Sequence, residues 1–181
     1  MQARAEKLEK YLRGELQLFQ VFDMDPAQMA ALLLAGHGFY TQGRLGEAMR
    51  IFEGLALLDE RNPYVQGILG SIYQKLGMND AAVRRYTLAL EVHPADIPSL
   101  TNRGELYLRM GRYQEAAADL QAAIDLDSEM KEPAGARARL LVTLTQETLR
   151  LAADEGIGAV LKVKAEIDLM GPGFEQSGAK P

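Results

Sequence analysis

The residue types that could support catalysis or ligand binding are few in this chain. They are two histidines and a short glycine-histidine stretch. His37 and His93 lie far apart in the sequence, and the chain has no cysteine to complete a thiolate metal site. Gly36-His37-Gly38 resembles the start of a dinucleotide-binding loop, but Thr41 stands where the third glycine is needed. We therefore expect no metal site and no cofactor.

Motifs for other chemistries are absent from the sequence, which contains no Walker loop, no GxSxG and no HExxH. The acidic residues Asp59, Glu60 and Glu91 are most simply solvated helix ends and faces. No residue stands out as a general acid, a general base or a nucleophile. The predicted set of catalytic residues is empty, and an enzyme is the least favoured class of function.

The composition of the chain limits the classes of partner that it could bind. The chain has 181 residues, a net charge of −5 and no basic stripe, which argues against nucleic acid. Its longest apolar run, MAALLLA at 29–35, is too short to span a bilayer. The N-terminal stretch MQARAEKLEKYLRGELQ lacks the apolar core of a signal peptide. We expect no membrane span, and the absence of cysteine suits a reducing cytosol.

Small residues and aromatics recur along the chain with a period of 34 residues. Three columns are identical in three copies, and two further columns are apolar. The identical columns are Gly36/Gly70/Gly104, Gly43/Gly77/Gly111 and Ala48/Ala82/Ala116, and the apolar ones are Phe39/Tyr73/Tyr107 and Phe52/Tyr86/Leu120. This period and pattern are typical of tetratricopeptide repeats, and the resemblance covers about residues 29–128. It predicts paired antiparallel helices.

Each repeated column has its own physical reason. The first glycine column and the alanine column lie where paired helices touch, and small residues allow close approach there. The second glycine column follows the end of each first helix, where glycine supplies the left-handed residue that stops the helix. Gly38 and Gly46 do not recur; they either weaken their helices incidentally or leave room for a close neighbour.

The predicted fold is all-α: three helix-turn-helix repeats between an N-terminal helical segment and a C-terminal capping helix. We divide the chain into an amphipathic N-terminal segment (1–25), the repeats (26–128), a capping helix (132–155) and an extension with a disordered tail (156–181). The N-terminal segment is expected to be one helix, because apolar residues recur at helical spacing: Leu8, Leu12, Leu16, Phe19 and Phe22. Helices are predicted near 26–42, 45–59, 63–76, 79–92, 97–110 and 113–127. The stretch 160–170 alternates like a strand, but no partner strand is evident, so we favour a helix there.

By resemblance to the repeat family, the first helix of each pair lines a concave groove. The residues that would face a partner there are Leu33, His37 and Tyr40 in repeat one, Gly67, Ser71 and Gln74 in repeat two, and Thr101, Glu105 and Leu108 in repeat three. Gly67 and Ser71 are expected to leave a hollow for a partner side chain, with Tyr40 as the main anchor at its edge. The alternative is that Leu33 and Tyr40 simply pack on the N-terminal helix.

The carboxylate clamp of some tetratricopeptide co-chaperones needs Lys, Asn and Arg at fixed groove positions. The matching residues here are Leu33, His37, Ile68, Pro98 and Asn102, so the clamp is absent.

A closer resemblance is to the class II chaperones of bacterial type III secretion. It rests on MAALLLAGHGFYTQGRLGEAMRIFEGLALLD, GILGSIYQKLGMNDAAVRRYTLALEVHP and RGELYLRMGRYQEAAADLQAAIDL, and on Leu55 where other repeats favour alanine. The family carries tyrosine where Tyr40 stands, but aromatics where this chain has Leu33 and His37. The resemblance implies a cytoplasmic bacterial chaperone that holds hydrophobic translocator proteins before export. It also suggests a homodimer through the N-terminal helix, although that helix could equally fold back as a cap on its own chain. The alternative is a scaffold that assembles another multiprotein complex.

Overall fold

The computed structural model describes residues 2–155, and every regular element in that range is a helix. The helices are α1 (Gln2–Leu12), α2 (Leu18–Val21), α3 (Pro26–Thr41), α4 (Leu45–Leu58), α5 (Pro63–Lys75), α6 (Asn79–Val92), α7 (Ile97–Arg109), α8 (Tyr113–Leu126) and α9 (Pro133–Glu155). The predicted all-α class is confirmed. The predictions for 156–181, including the alternating stretch at 160–170, lie outside the described residues.

Six of these helices form three pairs, α3 with α4, α5 with α6 and α7 with α8. Each pair packs on the next, and α9 closes the series by packing on both α7 and α8. The apolar core is continuous through the first two pairs, around Phe52, Leu69 and Tyr86. A second cluster, around Leu120 and Leu141, joins the third pair to α9. The prediction of three repeats followed by a capping helix is confirmed.

The first helix of each pair begins at a polar cap followed by proline. Asp25, Asn62 and Asp96 each accept a hydrogen bond from the backbone N–H three residues later, at 2.8, 3.2 and 3.0 Å respectively. Proline occupies one of the first two helical positions in all three helices, where no backbone donor is required. These caps explain why the first helices of the pairs begin at the predicted residues.

The same three helices end at the second glycine column. Gly43, Gly77 and Gly111 all have φ of +74°, the left-handed region that glycine occupies without steric cost. The N–H of Arg44 bonds to the carbonyl of Phe39 at 2.9 Å, and the other two turns repeat this bond. The predicted role of this column as a helix stop is therefore confirmed.

The first glycine column lies at the closest contact within each pair. A Cβ built on Gly70 would lie 2.6 Å from the Tyr86 ring, and one on Gly104 would lie 2.8 Å from Leu120 Cγ. A Cβ on Gly36 would lie 2.9 Å from the Phe52 ring. The same construction on Gly38 or Gly46 meets no atom within 4 Å. The glycines of the first column are thus required for packing, whereas Gly38 and Gly46 face open space.

The N-terminal segment differs from its prediction as a single helix. Helix α1 ends at Leu12, and Gly14 follows in the left-handed conformation with φ of +76°. The N–H of Glu15 bonds back to the carbonyl of Lys10 at 2.9 Å, which is the same kind of stop that ends α3. The chain resumes only as the four-residue α2. Residues on either side of Gly14 therefore cannot share one helical stripe.

Helix α9 continues the period of the repeats. Ala138 and Leu141 lie 34 residues after Gly104 and Tyr107, and both are buried. Asp127 ties the start of α9 to the third repeat: its Oδ1 accepts hydrogen bonds from two backbone N–H groups, and its Oδ2 pairs with Arg139 at 2.7 Å. These contacts hold the pKa of Asp127 below its usual range, with the Arg139 hydrogen bond as the main cause. Helix α9 therefore sits where the first helix of a fourth repeat would be.

Candidate functional site

Polar contacts connect the first helices of successive pairs side by side. Tyr64 of α5 bonds to His37 of α3 at 3.3 Å, and Asn102 of α7 donates to Ser71 of α5 at 3.4 Å. Arg137 of α9 donates to the side-chain oxygen of Asn102 in turn. Four helices, α3, α5, α7 and α9, thus form one continuous surface, which we call the first-helix face. It is the surface that the repeat pattern predicts for partner binding.

At the repeat-one end of this face, the structure separates the three predicted residues. His37 is exposed and Leu33 is half-buried, so both are open to a partner. Tyr40 is only 3% exposed, and the ammonium of Lys75 lies 4.7 Å from the centre of its ring. The core cluster that holds Tyr40 is drawn from residues between 29 and 110, so side chains of the repeats pack around it. Tyr40 is therefore a core residue rather than an accessible anchor.

The small residues predicted to form a hollow in repeat two contact neighbouring helices. A Cβ on Gly67 would lie 3.2 Å from Ser99 Oγ of α7, so Gly67 serves the contact between neighbouring helices. Ser71 Oγ accepts hydrogen bonds from the Tyr86 hydroxyl and from Asn102, at 3.2 and 3.4 Å. The Tyr86 hydroxyl also lies 2.8 Å from Gln74 Oε1, and Gln74 is buried. The small residues here allow helices to approach each other, and Gly67 and Ser71 are half-buried.

Helix α9 covers the predicted residues of repeat three. Thr101 is fully buried and donates to the backbone carbonyl of Ala134 at 3.1 Å. Glu105 is 3% exposed and lies 3.3 Å from the guanidinium of Arg137. Leu108 is half-buried against the second core cluster. The sequence pattern places these residues on the right face of α7 but does not show that the capping helix packs on that face.

Two buried groups of this region have shifted pKa values. Burial raises the pKa of Glu105, while the neighbouring Arg137 and Arg109 partly oppose that shift. Burial also raises the pKa of Tyr86, and its hydrogen bond to Ser71 acts in the opposite direction. Both groups belong to one network of hydrogen bonds and ion pairs that runs through α5, α6, α7 and α9. We assign this network a structural role, because each shift follows from burial and from contacts within the fold.

The most accessible apolar side chains near the repeat-one end belong to two residues that the repeat pattern does not predict as groove residues. Leu34 of α3 is 75% exposed, and Tyr64 of α5 is 48% exposed. A signal for Leu34 was present in the sequence, because α3 is apolar on nearly every side and packs mainly on α4. A helix of that composition with one main partner must leave apolar surface uncovered. Together with Leu33 and His37, these side chains form the apolar end of the first-helix face.

The chemistry available at this surface is binding. Within residues 2–155 no group of three or more His, Asp and Glu side chains is arranged to hold a metal ion. In the same range, no helix combines the length and the apolar character needed to cross a membrane. Exposed apolar side chains beside hydrogen-bonding groups are instead typical of surfaces that hold a protein segment.

Comparison with known families identifies the repeats. The tetratricopeptide-repeat family is matched twice, over residues 67–97 and 97–130. The chain contains tetratricopeptide repeats. The pair α3–α4 lies before these matches and repeats their contacts, with Gly36 against Phe52 where Gly70 meets Tyr86.

Curated proteins match only over part of this tetratricopeptide chain. U-box domain-containing protein 70 of Oryza sativa is 37% identical over 81 residues, which is 45% of this chain and 10% of that protein. Hsp70-Hsp90 organizing protein 3 of Arabidopsis thaliana is 35% identical over 71 residues, or 39% of this chain and 13% of that protein. The chain thus spans about a tenth of the length of these relatives, and the likeness concerns the repeats.

Solved structures match over much more of the tetratricopeptide chain. A type III secretion system (T3SS) complex from Aeromonas hydrophila superimposes with a TM-score of 0.72 at 21% identity, covering 81% of this chain and 99% of that one. The translocator chaperone SycD of Yersinia enterocolitica gives 0.64 at 19% identity, with 71% and 97% covered. PcrH in complex with the chaperone binding region of PopD gives 0.63 at 21% identity, with 68% and 95% covered. At these identities the likeness shows a shared fold.

Proposed function

We propose that this chain is a chaperone that holds an extended apolar segment of a secreted translocator protein against its first-helix face. The observation that carries the proposal is the apolar end of that face, where Leu34 of α3 and Tyr64 of α5 are exposed beside Leu33 and His37. Exposed apolar patches on a soluble protein mark binding surfaces more often than accidents of packing. The proposed contact residues are Leu33, Leu34, His37 and Tyr64.

The solved structures of the same fold support this choice of client. PcrH was crystallised with the chaperone binding regions of PopD and of PopB, and SycD is described as a translocator chaperone. A translocator has long apolar segments that would aggregate in water, so a chaperone must cover such a segment before export. We place this activity in the bacterial cytoplasm. It needs no cofactor, no nucleotide and no bond-making step.

The N-terminal segment is the proposed site of homodimerisation. Leu8, Tyr11 and Leu12 of α1 are exposed, and α1 packs mainly on the short α2. Deleting residues 1–21 would remove this apolar surface and is expected to halve the mass measured by light scattering. An unchanged mass after the deletion would exclude this interface.

Co-expression with a translocator from the same organism tests the function. We expect the translocator to be soluble with this chain and insoluble without it, and the two proteins to elute together. A translocator whose solubility does not depend on the chain would contradict the proposal. Recovery of the chain only within a stable complex of other proteins would instead favour the scaffold function.

A further inference from the structure

The cations of the first-helix face are not all matched by anions. Lys75 on Tyr40, Arg137 beside Glu105 and the Arg109–Glu105 pair within α7 bring three cationic side chains and one carboxylate together on this face. The whole chain, by contrast, has a net charge of −5. The face therefore has a local positive charge on an acidic protein, which favours an anionic partner at this surface.

Glu105 pairs with two of these cations inside the fold. Its Oε1 lies 2.9 Å from Arg109 Nη2, and its Oε2 lies 3.3 Å from Arg137 Nη2. Lys75 takes part in none of the ion pairs formed among residues 2–155. Its ammonium lies instead above the ring of Tyr40, at the boundary between repeats one and two. Lys75 is thus the cation of this set that has no anionic partner within that range.

A comparison of equivalent positions shows why Lys75 lacks an anion. Lys75 and Arg109 lie 34 residues apart, each at the last position of its helix. Four residues earlier, α7 has Glu105, which pairs with Arg109, whereas α5 has Ser71, which bonds within the fold. The same geometry therefore supplies an internal carboxylate in repeat three and none in repeat two.

We propose that a carboxylate of the bound segment takes this place, so that the client has an Asp or Glu side chain beside Lys75 and apolar side chains on Leu33 and Leu34. This inference rests on the proposed function and narrows the client to an apolar segment with a nearby acidic residue. The half-buried position of Lys75 on an aromatic ring limits its motion, so a carboxylate there loses less side-chain entropy than at a freely exposed lysine.

A random twelve-residue peptide library, displayed on phage and selected on the full chain, tests this inference. We expect selected peptides to combine apolar residues with Asp or Glu. A selected peptide with glutamate is then compared with its glutamine version on wild type, Lys75→Gln and the control Lys131→Gln. The control removes the same charge from an exposed lysine paired with Glu129.

The glutamate peptide should bind Lys75→Gln about threefold to fivefold more weakly than wild type at low salt, and the control as wild type. The glutamine peptide should bind all three proteins alike. Equal binding of the glutamate peptide to wild type and Lys75→Gln would overturn the inference, as would a selected pool without acidic residues. If selected peptides also bind Leu34→Asp as they bind wild type, the proposed function itself fails.

Discussion

The two ends of the first-helix face are built on one 34-residue pattern, yet they differ in what covers them. At the repeat-three end, Thr101 and Glu105 are buried because α9 packs on α7 and places Arg137 beside them. At the repeat-one end, equivalent positions are occupied by Leu33 and His37, and both keep solvent exposure. The repeat decides which residues share a face, whereas the flanking helices decide which part of that face can bind.

The largest expected effect is on the free energy of unfolding, from a substitution at the repeat-three end that α9 covers. Replacing Arg137 with alanine leaves Glu105 buried with Arg109 as its one remaining cationic partner, and also removes a donor to Asn102. We expect the free energy of unfolding to fall by about 2–3 kcal/mol. His37→Ala at the exposed end is the matched control and should change it by less than about 0.5 kcal/mol. Urea denaturation measures both, and equal losses for the two variants would remove the distinction between the ends.

Two glycines of the first helices differ in how closely a neighbouring helix packs on them, and their substitution should have opposite effects on stability. Gly70→Leu forces a side chain against the Tyr86 ring and should cost about 1–3 kcal/mol of unfolding free energy. Gly38→Ala adds a Cβ that meets nothing within 4 Å and should stabilise the protein by up to about 1 kcal/mol. Thermal melts of both variants should therefore move in opposite directions. A Gly70→Leu variant that melts as wild type does would contradict the close contact between α5 and α6.

The smallest expected effect is a pH dependence at the covered end. The pKa of Glu105 is raised in the folded protein, so its protonated form favours folding. Its contribution is fully present below the unfolded pKa of about 4.3 and is lost as the pH rises through the higher folded pKa. As the pH is lowered from 7 through the raised folded pKa towards the unfolded value, the melting temperature of wild type should therefore rise relative to that of Glu105→Gln. Parallel melting curves for the two proteins over this range would show that Glu105 has no raised pKa.

Local signals explain why most of the fold could be predicted from the sequence. Asp25, Asn62 and Asp96 mark helix starts, and the recurring glycines mark helix stops, so the helices of the repeats end within one residue of the prediction. Gly14 is such a stop as well, but it has no repeated counterpart to distinguish it from Gly38. The sequence therefore predicted one N-terminal helix where the structure has α1 and α2.

The binding surface was less predictable because it depends on contacts between distant parts of the chain. Tyr40 follows the spacing of a groove residue, but packing against residues from later repeats buries it. Ser71 and Gly67 suggest a hollow by their size, yet both lie in contact with Tyr86, Asn102 or Ser99 of neighbouring helices. Periodicity within a helix does not contain this information. Of the nine predicted site residues, Leu33 and His37 remain proposed contacts.

The affinity of a client segment for two matched leucine variants tests the central claim most directly. Leu34 and Leu57 belong to the same pair of helices and are 75% and 72% exposed, but Leu34 lies on α3 and Leu57 on α4. Calorimetry with a translocator's chaperone-binding segment should show at least about a tenfold loss of affinity for Leu34→Asp. Leu57→Asp should bind as wild type does, and both variants should melt normally. Lost binding in Leu57→Asp with normal binding in Leu34→Asp would place the client on the second helices and contradict the account.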